Sequence, residues 1–517
     1  MPARVLTQPF RSLLWPSGRP GEDETPLDVL HDLALDQLLT RFEPEDAAAP
    51  WTMPLSTVDA VRDRQAVFRG LEREGMRAAV DAFLSSWVQL QRARTEASRS
   101  RHQVQRSLWH LQALVGYCAA VDRFAGELGS AIADHPGDSQ LLDSLGAYLA
   151  ELHTAAEFTQ RREEAAAVQA AIDGIRYNAL LQGGKVSVAA YDDEPDLETA
   201  VLDTFERFRQ GAVEDYRVSF RDSTDLDHVQ AQILDQVVML FPEPFRHLVE
   251  LAAKTANFED EQLVRFTREV PFFLSYLELL RPLREAGLPV SYPKVSAQSH
   301  HLSASKTWDL TLASSVVKNG HEVVTNDLTL TGAERILVVS GPNQGGKTTM
   351  ARTFGQLHHL AAMGCPVPGR SVQLPLTDQV LTLFEREEQL DSLEGRLGTE
   401  IERMYELLEQ ATTRSAIVLN EVFSSTTLQD ARVLTREVLV RLSDLDAVAI
   451  CVTFIDELSR LNEKTVSMTS AVDPDDPAIR TFRVERRIAD GRAYVEALAT
   501  KHGLSGKQIA ERMGDTR

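Results

Sequence analysis

The stretch RILVVSGPNQGGKTTMARTFGQLHHLAAMG, residues 335–364, decides the reading of this chain. It opens with a short apolar, β-branched run and closes with a pattern of helical period. Between them lies Gly341-x4-Gly346-Lys347-Thr348. Such spacing lets backbone N–H groups curl round phosphate oxygens, places a lysine on the β and γ oxygens, and offers a hydroxyl to Mg²⁺. A strand feeding a helix N-terminus is the context in which that chemistry works, because the free N–H groups and helix dipole favour an anion.

About seventy residues on, SAIVLNEVFSS (415–425) is a second apolar run that ends in Asn420-Glu421. Polar side chains at a strand tip beside a phosphate loop hold Mg²⁺ through water and orient an attacking water. An Asn in the first place accepts a hydrogen bond from a metal-bound water but brings no charge, so reduced Mg²⁺ affinity or reduced turnover is expected. Glu421 remains as the base. A third run, AVAICVTF (447–454), ends in Thr453-Phe454; Thr453 is the candidate to face a γ-phosphate, and Phe454 cannot hydrogen-bond. Three such strands separated by helical stretches predict an α/β domain with a mostly parallel sheet and a nucleotide at its carboxyl edge.

Upstream, residues 57–176 carry apolar positions three and four apart with little Gly or Pro, which predicts long antiparallel helices. RYNALLQGGKVSVAAY (176–191) alternates around Gly183-Gly184, a hairpin signal, before helical pattern resumes at LETAVLDTFERFRQGAVEDY and again from about 228 to 287. GLPVSYPKVSAQSHHLSAS (287–305) reads as a linker. Residues 1–55, rich in Pro and acid around LDVLHDLALDQLL, read as an arm packed on something larger. The expected division is therefore an arm (1–55), a helical core or lever region (56–295) and an α/β nucleotide domain (296–517).

At 517 residues the chain is too long for one ordinary core. Its net charge is -22; residues 296–517 hold 24 Lys+Arg against 30 Asp+Glu, leaving 30 against 46 for residues 1–295. Nucleic-acid binders usually present a basic surface, so DNA contact has to come from local patches. Arg92, Arg94, Arg99, Arg101 and Arg106 form one candidate patch, with a solvated helical face as the bland alternative. Three scattered Cys without a CxxC pair, no signal-like N-terminus and no run of 18 apolar residues point to a soluble protein of the cytoplasm, with no membrane. His300-His301 and His358-His359 have no further ligands at metal spacing and are read as structural. Trp87, Trp109 and Tyr117 are read as core.

Together these residues resemble the MutS family of DNA mismatch-repair ATPases. The resemblance is carried by Gly341-Pro342-Asn343 ahead of Gly345-Gly346-Lys347-Thr348-Thr349, by GCPVPG at 364–369, and by the runs at 378–412, 415–431, 452–461 and 489–513. It implies ATP and Mg²⁺ as cofactors, with Gly341 to Thr349 (Gln344 included), Asn420 and Thr453 around the nucleotide, Thr348 and Asn420 serving the metal, and Lys347 and Glu421 serving the chemistry. It also implies a homodimer in which Arg396, in GRLG (395–398), reaches the partner's nucleotide, a clamp-like insertion at about 176–222, DNA of mismatched or branched form, and repair partner proteins. Departures are plain: Asn420 stands for the usual Asp, Phe454 for the usual His, Leu397 for the usual Ser, VFSSTT replaces a Gly-rich turn, and no room precedes the lever for a mismatch-reading domain. An ATP-dependent clamp on distorted DNA is the first expectation and a MutS-like scaffold for proteins the second. A transport ATPase is disfavoured, since no Leu-Ser-Gly-Gly-Gln run follows the loop.

Overall fold

The computed structural model describes residues 10–16, 25–39, 49–182, 185–191, 228–342, 345–385, 395–472 and 480–488. Its helical part begins with α1 (Leu27–Asp32), α2 (Asp36–Leu39) and α3 (Val58–Leu71). Two long antiparallel helices follow, α4 (Glu74–Arg99) and α5 (Gln103–Ala133), the second about 46 Å long at 1.5 Å per residue. Then come α6 (Gln140–Thr154), α7 (Ala156–Asp173), α8 (His228–Leu240), α9 (Pro242–Lys254) and α10 (Glu261–Glu285). Each start has a local cause where a side chain caps it: Thr57 on α3, Ser139 on α6, and Asp260, which accepts from Gln262 and Leu263, on α10. The apolar stripes of α4, α5 and α10 meet in aromatic contacts, with Phe83 stacked on Phe124 at 4.4 Å and Phe266 5.4 Å from Phe124. Trp87 and Tyr117 are buried in the same core and Trp109 packs at its margin.

The expected hairpin is present as β1 (Tyr177–Gln182) and β2 (Lys185–Ala190), antiparallel with Gln182 opposite Lys185. It rests on α8, whose Gln236 accepts from the Val188 N–H at 3.2 Å. Gly183 and Gly184, the helix expected over 197–216 and the rest of the clamp-like insertion, and the closing segment 489–513 lie outside the described residues.

The C-terminal part holds a six-stranded sheet in the order β10-β11-β12-β7-β13-β14: β7 (Ile336–Ser340), β10 (Val380–Phe384), β11 (Ala416–Asn420), β12 (Val448–Val452), β13 (Thr465–Val472) and β14 (Arg480–Arg486). All neighbours are parallel except β13 and the edge strand β14. Alternate residues face opposite sides of a strand. Ile336 and Val338 therefore join Leu419, Cys451, Met404 and Leu442 in one cluster, while Leu337 and Val339 join Val418, Ile450, Phe354 and Leu357 in another. Burial on both faces is why these strands read as unbroken apolar runs. Three helices cover them: α12 (Lys347–Ala362) on one face, and α13 (Arg396–Gln410) and α14 (Leu428–Leu445) on the other. The second of these clusters is continuous with the helical core around Phe83 and Phe266.

Residues 287–305 differ from the expected linker. They form β3 (Val290–Ser291), β4 (Lys294–Ser296) and most of β5 (Leu302–Thr307), which pair with β8 (Val367–Pro368), β9 (Ser371–Pro375) and β6 (Asn326–Leu330). The Pro and Ser content hid a weak alternation in which Leu302, Ala304 and Thr307 are buried. A short helix, α11 (Leu310–Lys318), follows. Among the described residues no helix is long and apolar enough to cross a membrane. Cys118, Cys365 and Cys451 are all buried free thiols.

The described parts of residues 25–55 lie along one stripe of α12, and residues 12–14 meet α10 and Arg64. Arg352 donates to the Asp32 carbonyl at 3.2 Å, Gln356 to the Leu33 carbonyl at 2.9 Å, and His359 Nε2 lies 2.9 Å from the Trp51 carbonyl. Burial pulls His358 and His359 down to about 3 and about 4, so both imidazoles are neutral. Further along, Leu55 N–H donates to the Ala362 carbonyl, and the fully buried Arg64 bridges the Met363 and Leu14 carbonyls at 3.0 and 2.6 Å. Glu269 of α10 accepts from Ser12 Oγ at 2.7 Å and from Leu13 N–H at 2.7 Å. Gly355 lets the arm approach: a Cβ there would run into Leu33 and come within 3.1 Å of Val418. Gly355→Val is therefore expected to cost about 1–3 kcal/mol by overpacking, seen as a lower thermal midpoint and faster proteolysis within residues 25–39; an unchanged midpoint would contradict the close fit.

Candidate nucleotide site

The carboxyl ends of β7, β11 and β12 lie side by side, Asn420 opposite Val452 and Val452 opposite Val339. Beyond β7 the chain enters the glycine loop, with Gly341 at φ +117° and Gly346 at φ +89°, a region in which glycine is at ease. The loop lies tight against β13: a Cβ on Gly341 would be 3.0 Å from the Ser470 side chain, and one on Gly345 would overlap it. Ser470 Oγ donates to the Gly345 carbonyl at 2.7 Å, a buckle beneath the loop that sequence reading missed. Asn343 and Gln344 lie outside the described residues. Gly346 is the N-cap of α12, so Lys347, Thr348 and Thr349 form its first turn with N–H groups that no helical carbonyl takes.

Lys347 is nearly buried, its side chain 3 % exposed. Its ammonium donates to the Gly341 carbonyl at 2.8 Å, lies 3.9 Å from Glu421 Oε1, and sits 4.2 Å from the centroid of the Phe454 ring. The loop, the tip of β11 and the tip of β12 thus meet on one cation. Thr348 and Thr349 are half-buried beside it.

Asn420 is buried, and its Oδ1 has no hydrogen-bond partner among the described residues. An orphaned buried acceptor is costly, and a metal-bound water is the kind of donor that would satisfy it. Glu421 turns the chain with φ +53°, uncommon for a residue with a Cβ, while its N–H donates to the Val452 carbonyl at 3.0 Å. Thr453 is buried; its N–H donates to the Val339 carbonyl at 3.0 Å, and its hydroxyl accepts from the Ile455 N–H at 3.1 Å. One hydroxyl lone pair is thus used within its own turn. Arg396, at the start of α13, pairs with Glu385 just past β10, whose last residue Phe384 lies opposite Asn420. It stands one strand away from the Lys347 cluster and is not part of it.

Of the basic patch on α4 and α5, Arg94 pairs with Glu259, Arg99 lies 3.6 Å from Glu96, and Arg106 donates to the Ser100 carbonyl at 3.1 Å. Neighbouring acids and carbonyls therefore engage three of its five members.

A mostly parallel sheet whose carboxyl edge gathers a glycine turn, a helix N-terminus, a lysine and a carboxylate is of the mixed α/β class, in which ligands bind beyond the carboxyl ends of the strands. Residues 337–500 match the family model for MutS domain V. Over that segment the chain is similar to the MutS family. It is 26 % identical over 280 residues to the DNA mismatch repair protein MutS of Shouchella clausii, covering 51 % of this chain and 32 % of that protein. Over 189 residues it is 27 % identical to the endonuclease MutS2 of Gemmatimonas aurantiaca (36 % of this chain, 23 % of the relative), and over 152 residues 28 % identical to the DNA mismatch repair protein MSH3 of Yarrowia lipolytica (29 % and 15 %). The chain spans about a third or less of the length of these relatives.

Proposed function

We propose that this chain binds ATP with Mg²⁺, hydrolyses it, and uses the cycle to close a dimeric clamp on distorted or branched DNA in repair. The observation that carries the reading is the meeting of Lys347, Glu421 and the glycine loop at the carboxyl edge of the sheet. The side chains suit the ligand. Backbone N–H groups of the loop between Gly341 and Thr349, Pro342 excepted, and the Lys347 ammonium take the phosphates, the Thr348 hydroxyl serves the metal, and Asn420 Oδ1 accepts from a metal-bound water. Mg²⁺ supplies charge neutralisation on the phosphates. Glu421 takes the proton of the attacking water, and Thr453 faces the γ-phosphate. With a neutral amide at Asn420, turnover is slow.

Assembly follows as a homodimer in which Arg396 reaches the partner's nucleotide. Support comes from large exposed apolar side chains on α13 (Ile401, Tyr405), the helix that Arg396 opens, and on its neighbour α14 (Leu428, Val433). The arm (1–55), the helical lever region (56–295, clamp insertion at about 176–222) and the nucleotide domain (296–517) are the working parts, in a protein of the cytoplasm that associates with the nucleoid and with repair partners. A second reading, a MutS-like scaffold for proteins without mismatch recognition, draws support from the 46 acids against 30 bases of residues 1–295.

Fluorescence anisotropy with plain duplex, mismatched duplex and a four-way junction, with and without ATP over a salt series, separates the two. The clamp reading expects ATP-dependent, structure-selective binding, weakening steeply with salt. If no DNA binds at any salt, the clamp reading falls and the scaffold takes its place.

A further inference from the structure

Phe454 sits where burial does not explain it. A phenylalanine is usually placed by the apolar surface it removes from water, yet 49 % of Phe454 is exposed. Its position is nonetheless fixed from both sides. Thr453 N–H is tied to the Val339 carbonyl, and the Thr453 hydroxyl closes a turn with the Ile455 N–H. What the ring does face is the Lys347 ammonium, at 4.2 Å from its centroid. Among the described residues the cation lies beside groups of different character: the neutral Gly341 carbonyl at 2.8 Å, the Glu421 carboxylate at 3.9 Å, and an aromatic face.

We infer that Phe454 is a positioning residue of the nucleotide site, holding the Lys347 ammonium by its π face and keeping it from closing onto Glu421. This deepens the ATP reading given above and rests on it. At 3.9 Å the lysine and the carboxylate attract each other without a direct hydrogen bond. Were they to close to bonding distance, each would occupy the other. Lys347 would have less to offer a phosphate oxygen, and Glu421 would be a weaker acceptor for a water proton. An aromatic face attracts a cation through its quadrupole but accepts no full hydrogen bond, so it holds the ammonium in place and leaves its protons available. A leucine there has similar bulk and no quadrupole; a tyrosine keeps both.

The test compares wild type, Phe454→Leu, Phe454→Tyr and Lys347→Ala in binding of a fluorescent ATP analogue, in steady-state hydrolysis and in thermal midpoint. Phe454→Leu is expected to weaken ATP binding about fivefold, in line with loss of a partly desolvated cation–π contact, and to lower kcat as well. Phe454→Tyr is expected to restore both to within about twofold, since its ring carries a comparable quadrupole. Midpoints should stay together, because a half-exposed ring adds little to the core. The inference is overturned if Phe454→Leu binds and turns over ATP like wild type, or if Phe454→Tyr is as impaired as Phe454→Leu. Failure of wild type itself to bind the analogue better than Lys347→Ala overturns instead the nucleotide reading beneath it, and the inference with it.

Discussion

Lys347→Ala should abolish measurable ATP binding at concentrations that saturate the wild type. The ammonium is nearly buried at the head of α12 and is the one cation where the loop and two strand tips meet among the described residues. Charge-assisted hydrogen bonds contribute about 1.5–3 kcal/mol each, so losing two phosphate contacts weakens binding by roughly 10²- to 10⁴-fold. Removal also strands the Glu421 carboxylate opposite the phosphates, a repulsion that adds to the loss. Calorimetric titration of both proteins with Mg·ATP checks this. A variant that binds within a few-fold of wild type would mean that the loop does not grip phosphate through this lysine.

Glu421→Gln should separate binding from hydrolysis. A positioned general base contributes about 10²- to 10⁴-fold to rate. Its amide analogue keeps size and shape but cannot take a proton at neutral pH. The substitution is clean for a structural reason: Glu421 already holds φ +53°, and Gln meets the same backbone penalty, so the Val452 contact and the turn stay as they are. ATP affinity should hold near the wild-type value while single-turnover hydrolysis falls by at least the lower of those factors. Hydrolysis at the wild-type rate would remove Glu421 from the role of base.

The parts of this site that sequence made legible are those in which one short run carries the whole signal. β7, β11 and β12 are buried on both faces and read as apolar runs, and their polar ends mark the strand edge. The hairpin at 177–190 was legible because its turn and its alternation are local. Features made by distant pairs were not. Ser470 beneath Gly345 comes from a strand 125 residues away and looks in sequence like any serine. Phe454 reads as an inability to hydrogen-bond, and only its place over Lys347 gives it a use. Residues 287–305 read as a linker because their strands are short and their partners, β6, β8 and β9, occur later in the chain. Arg396 was legible as a residue type, but its pairing with Glu385 depends on how the chain returns to β10.

The arm's grip on α12 has a consequence for the order in which the protein is made. Asp32 and Leu33 hand their carbonyls to Arg352 and Gln356, 320 and 323 residues later. At roughly 5–20 residues per second, a ribosome needs about 15–65 s to bridge that gap. Through that interval Val29, Leu30 and Leu33, all buried at the end, have nothing of α12 to pack against. Residues 25–33 thus leave the ribosome well before the helix they pack on, and their final cover is completed only when α12 has emerged.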